Sequence, residues 1–149
     1  MTTRPAPFAA APELMKAWFA FSNLVEKSGL EPDLLELVKI RSSQINGCAN
    51  CLNMHNAHAR KLGEAQKRLD VLAAWREAPW FSERERAALA WTEYLTEVAD
   101  KRAPDEVYAS VAAQFSETEQ VQLTMMINVI NGWNRLAIGF EMFDESLAA

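Results

Sequence analysis

At 149 residues, half of them hydrophobic and 23% charged, the chain is long enough for one domain with a sizeable core and too apolar to stay disordered. Its formal net charge is −5 and no cluster of Lys and Arg breaks that balance, so neither a nucleic-acid surface nor a basic membrane-binding helix is expected. Apolar runs such as Ala17 to Phe21 and Val71 to Trp75 fall short of the ~20 residues that span a bilayer, and Pro5, Pro7, Pro12 and Glu13 interrupt any apolar signal core.

The chain opens on a Pro- and Ala-rich stretch, Met1 to Pro12, expected as an extended arm that packs on a neighbour or stays mobile. The first predicted helix covers about Glu13 to Lys27 and ends at Gly29; the second runs from about Pro32 to Ile45 and stops at Asn46-Gly47. A third opens at Cys48 and continues to about Leu62, closed by Gly63, and a fourth covers about Glu64 to Arg76, before Pro79. Ser82 and Glu85 form a capping box that opens a fifth helix, to about Ala99. Pro104 starts a short sixth, and Ser116 with Glu119 repeats the capping signal for a seventh. No segment alternates apolar and polar residues between turn signals, so the reading is a single all-α domain over 1–149.

The last helix bears on association. Between Val121 and Phe143, apolar residues from Leu123 to Phe140 fall on nearly every helical face. A helix that is apolar all round is buried all round, and a domain this small rarely surrounds one by itself. A homo-oligomer with this helix at the interface is therefore expected, the competing reading being a central helix in a monomer.

Only two cysteines occur, Cys48 and Cys51, in one CxxC. A secreted disulfide scaffold would need more, spread along the chain, so a cytoplasmic redox pair or part of a metal site is expected. Stepping about 100 degrees per residue from Cys48 places Cys48, Cys51, Leu52, Met54, His55, His58, Ala59 and Leu62 on one apolar, inward arc. Ala49, Asn50, Asn53, Asn56, Ala57, Arg60 and Lys61 fall on the outward side. His55 lies one turn beyond Cys51, where side chains meet, while Cys48 sits at the helix start, where free N–H groups favour a thiolate. Helix position favours Cys48 as the more acidic thiol, and the neighbouring imidazole favours Cys51. Cys48, Cys51, His55 and His58 match a zinc set in number, but structural zinc sites usually draw ligands from two separated segments.

Glu36, eleven residues, Cys48-Ala49-Asn50-Cys51 and then His55 spell E-x11-C-x2-C-x3-H, flanked by Ser43-Gln44-Ile45-Asn46-Gly47 and Gly63. This stretch, 36–63, resembles the AhpD-like alkylhydroperoxidases of the carboxymuconolactone decarboxylase superfamily, and Asn131-Gly132-Trp133-Asn134-Arg135 is similar to their final helix. The resemblance implies an all-helical trimer or hexamer that reduces alkyl or hydrogen peroxide with no haem, metal or other bound cofactor. It implies that Cys51 attacks the peroxide and becomes a sulfenic acid, that Cys48 resolves it to a disulfide, and that His55 and Glu36 relay the Cys51 proton. A dithiol, such as a lipoyl group on a partner protein, is the implied reductant. Peroxidases of the family carry a histidine where Asn50 stands; Asn hydrogen-bonds but delivers no proton at neutral pH, which leaves His58 as the auxiliary candidate beside it.

Glu36 also has a plainer reading, a solvated pair with Lys39 at i+3. A lactone decarboxylase and a non-catalytic redox-sensing oligomer are the other functions considered; the cysteine pair argues against the first. Trp18, Trp75, Trp80, Trp91 and Trp133 read as core or interface anchors. Gly132 inside a helix costs about 1 kcal/mol against Ala, which points to close approach by another element.

Overall fold

A computed structural model describes residues 3–144 and 146. Nine α-helices and one 3-10 turn occur among them, and no strand: α1 (Pro7–Ala10), α2 (Pro12–Glu26), α3 (Pro32–Asn46), α4 (Ala49–Lys61), α5 (Gln66–Asp70), the 3-10 turn (Leu72–Ala74), α6 (Glu83–Thr96), α7 (Val98–Lys101), α8 (Asp105–Gln114) and α9 (Glu117–Gly139). No helix among the described residues is long and apolar enough to cross a membrane.

The helix at the centre is α3, packed against α4, α6 and α9. Every residue from Leu34 to Ile40 is buried, in three groups. Leu34, Leu35 and Val38 enter a core shared with α2, α6, α8 and α9, where Leu123, Met126 and Ile127 meet them. Leu37 and Ile40 enter a second core with Leu69, Leu72, Trp75 and Leu89. Glu36, Lys39 and Ser43 recur at helical spacing on the remaining side, and they too are buried.

Within one chain α3 is the helix buried all round, while α9 buries a stripe and leaves Val121 63% and Ile138 47% exposed. Several expectations need correction. α9 ends at Gly139, so Phe140 and Phe143 follow it rather than extend it. The arm is not extended beyond its first residues; Pro7–Ala10 form a helical turn started by Pro7 and packed on α2 of the same chain, and Met1 and Thr2 lie outside the described residues. The predicted fourth helix is broken into α5 and the 3-10 turn, because buried Leu69, Leu72, Trp75 and Ala78 recur every three residues, a spacing that suits three residues per turn. The fifth helix is interrupted at Glu97, leaving α7 as a separate turn. The two capping boxes form as expected, with Ser82 and Ser116 accepting from Glu85 and Glu119.

Candidate active site

The turn between α3 and α4 sets the site. Gly47 ends α3 in the left-handed conformation (φ 68°) that favours glycine, and Cys48 then caps α4, its Sγ accepting the Cys51 N–H at 3.3 Å. The end of α3 is fixed to α9 by buried amides. Asn46 Nδ2 donates to Asn131 Oδ1 (2.9 Å) and Asn134 Oδ1 (2.8 Å). Asn134 Nδ2 donates to Ser43 Oγ (3.0 Å), and Asn131 Nδ2 to Ser42 Oγ (3.1 Å) and Thr96 Oγ1 (3.2 Å). Satisfied polar networks of this kind specify one register between packed helices.

Cys48 and Cys51 are joined as a disulfide, with Cα atoms 5.4 Å apart, and both are buried. Cys51 faces a cavity of about 480 Å³ between α1, α2, α3, α4 and α9. Cys48 faces a separate, shallower groove of about 300 Å³ beside the end of α9. Glu36, His55, His58 and Asn50 line the cavity with Cys51, so five of the six residues singled out by sequence reach one space.

The helical arc needs amendment. His55 is buried, whereas His58 stands nearer solvent at the cavity, its ring edge-on to His55 at 5.8 Å. Leu62 is 53% exposed, and Ala57, placed on the outward side, is buried against the rest of the fold. Asn50 has a structural partner: its Oδ1 accepts the Asp144 N–H at 3.0 Å.

Glu36 meets His55 directly, with Oε2 2.9 Å from Nδ1. Its other oxygen accepts from Lys39 Nζ at 2.6 Å, and the same ammonium reaches Glu26 Oε1 at 2.6 Å. The Glu36–Lys39 pair is therefore real but buried, not solvated. Burial pushes the Glu36 carboxyl up, but the hydrogen bond from His55 and the Lys39 ammonium outweigh it and hold Glu36 below the usual range. For His55 burial is the larger influence and depresses its pKa, assisted by the Lys39 charge, although Glu36 pulls the other way. An ionised carboxylate only accepts hydrogen bonds, so Nδ1 carries the proton and Nε2 the lone pair. The result is a neutral imidazole, held through Nδ1 by Glu36 and carrying the lone pair on Nε2.

The zinc set weighed from sequence does not assemble, since ten residues of helix separate Cys48 from His58 by about 15 Å along the axis. Glu36, His55 and His58 could approach one cation, their ligand atoms lying within 4.8 Å of one another. Both Glu36 oxygens are already engaged there, one by an ammonium. Sequence reasoning missed Lys39 as a buried bridge and the Asn131–Asn134 clamp. The second had a signal: two asparagines one turn apart in an apolar helix.

Residues 12–94 match the model of the carboxymuconolactone decarboxylase family. The chain is 41% identical over 138 residues to the uncharacterised protein YdfG of Bacillus subtilis, covering 93% of this chain and 94% of that one. Its fold superposes with a TM-score of 0.91 on a protein of unknown function from Agrobacterium tumefaciens, proposed as an antioxidant-defence AhpD protein, at 40% identity over 96% of this chain and 99% of that one. The debrominase Bmp8 has the same fold at 18% identity and a TM-score of 0.80, covering 95% of this chain and 75% of that one. The chain belongs to the carboxymuconolactone decarboxylase family, on its AhpD-like side.

Proposed function

We propose that the protein is a thiol-dependent peroxidase that reduces alkyl or hydrogen peroxide through a Cys48–Cys51 dithiol–disulfide cycle. The observation that carries this is the convergence, on one cavity, of a cysteine able to pair with its neighbour and a buried Glu36–His55 couple. In the dithiol state His55 Nε2 takes the Cys51 proton, and the thiolate attacks the nearer peroxide oxygen as the O–O bond breaks. The alkoxide leaves with the bond pair and receives the proton back from His55, giving an alcohol and Cys51 sulfenic acid. Cys48 then attacks the sulfenic sulfur, releases water and closes the disulfide. A dithiol reductant, such as a lipoyl group, returns two electrons and two protons. On this scheme one imidazole serves as base and then acid, so Asn50 in the family's histidine position does not stop the cycle.

Chain placement supports Cys51 as the attacking thiol, because it faces the cavity and Cys48 the groove. The test is a thiol count by intact mass, before and after one equivalent of an alkyl hydroperoxide. Loss of both thiols, with a mass decrease of two hydrogens, is expected. Survival of both thiols, or slow over-oxidation of one, would sink the reading and favour a sensor or another thiol chemistry.

A further inference from the structure

The N-terminal arm lies outside the family-matched segment, which begins at residue 12. It is nevertheless built into the site. Arg4 Nη1 donates to the carbonyls of Ile138 (3.3 Å) and Gly139 (2.8 Å), capping the C-terminus of α9, and its Nη2 pairs with Glu141 at 3.0 Å. Pro7 is buried, and the ring of Phe8 stacks on Trp133 with centroids 6.4 Å apart and planes 17° from parallel. Trp133 is itself fixed, its Nε1 donating to Ser22 Oγ at 3.0 Å. Cys51, His55 and His58 supply the reactive groups of the cavity, Phe8 and Phe19 line it with apolar surface, and Trp133 joins the two, packed against the buried Cys48–Cys51 cluster.

We infer that the arm is a wall of this cavity, strapped down by Arg4, and that Phe8 against Trp133 selects hydroperoxides with a bulky apolar body over hydrogen peroxide. The inference rests on the peroxidase reading for its reaction but not for its binding step. An aromatic hydroperoxide fills the wall and carries its O–O group toward Cys51; hydrogen peroxide gains nothing from the wall. Rate selectivity follows, since contacts to a non-reacting part of a substrate favour it through kcat/KM. Phe8 is 49% exposed, so part of its ring is open to an incoming apolar group while the rest stacks on Trp133.

The experiment compares kcat/KM for cumene hydroperoxide with that for hydrogen peroxide in the full chain, in Phe8→Ala, in Phe8→Leu and in Arg4→Ala. The cumene-to-hydrogen-peroxide ratio is expected to fall about tenfold in Phe8→Ala, the scale of one lost apolar contact surface. Phe8→Leu should restore part of it. Arg4→Ala, which touches no cavity residue through its guanidinium, should move the ratio the same way by freeing the strap. A second readout needs no turnover: calorimetric binding of 2-phenyl-2-propanol to the disulfide form, weakened in Phe8→Ala and Arg4→Ala. Ratios within twofold of the parent, or alcohol binding unchanged in both variants, overturn the inference. If no peroxide oxidises the parent protein, the peroxidase reading falls instead, and the alcohol titration still decides the wall.

Discussion

Two buried carboxylates, Glu36 on the central helix and Glu93 on α6 packed against it, resemble each other in everything except what they can do. Glu36 is 4% exposed and Glu93 3%; in each, burial pushes the carboxyl up and nearby donors bring it below the ordinary range. Glu93 on α6 is enclosed by donors that never titrate near neutrality: Arg41 Nε at 2.8 Å, Trp75 Nε1 at 2.9 Å and Arg76. Glu36 holds Lys39 on one oxygen and an imidazole on the other, beside a cavity that also receives Cys51. A buried ion cluster with a shifted pKa is thus no mark of a site by itself. What separates the two is a partner that can give and take a proton next to open space.

The largest expected effect tests the structural member. Glu93→Ala strands Arg41 and the Trp75 N–H inside the core and should cost about 3–5 kcal/mol, read from the urea midpoint at unchanged slope. Turnover of the fraction that remains folded should stay close to the parent. Glu36→Gln should do the reverse. Its stability loss is smaller because Lys39 keeps Glu26, while peroxide turnover should fall about a hundredfold, the lower range for a positioned base. A Glu36→Gln protein that unfolds as readily as Glu93→Ala yet keeps its rate would exchange the two roles. Lys39→Met sits between them. Removing the ammonium lifts the charge that lowers His55, so the acid limb of the rate profile should move to higher pH, with turnover at neutral pH down about tenfold.

The same comparison shows what could be seen in the sequence. The fold class, both capping boxes, the α3–α4 turn at Gly47 and the joining of Cys48 and Cys51 follow from local chemistry or from one motif, and local signals survive folding. Gly132 also kept its meaning: a Cβ there would sit 2.6 Å from the Trp18 ring, which is the close approach its placement in a helix suggested. What depended on three-dimensional enclosure was lost. Glu36–Lys39 looked like a surface pair because i+3 spacing carries no information about α2 and α4 covering it. Glu93 drew no notice at all, since its partners stand 52 and 17–18 positions away. The central place of the charged α3 was equally hidden, because its charges are compensated by partners on other helices, Lys39 by Glu26 and Arg41 by Glu93.

Acid unfolding should resolve the pair in time with proton uptake. His55 has a folded pKa below the ordinary 6.5, so the unfolded chain binds its proton first. Stability from keeping it neutral is complete above that value and declines as pH falls below it. Glu36 and Glu93 have folded values below the ordinary 4.5, so their contribution persists to that point and is lost as pH drops further, through the depressed values. The midpoint of urea unfolding should therefore decline in two stages, the first beginning near pH 6.5 and the second below about 4.5. His55→Gln removes the first stage and keeps the Glu93 share of the second, whereas Glu93→Gln flattens only the second. A first stage that persists in His55→Gln would assign it elsewhere and would take from Glu36 the neutral partner that distinguishes it from Glu93.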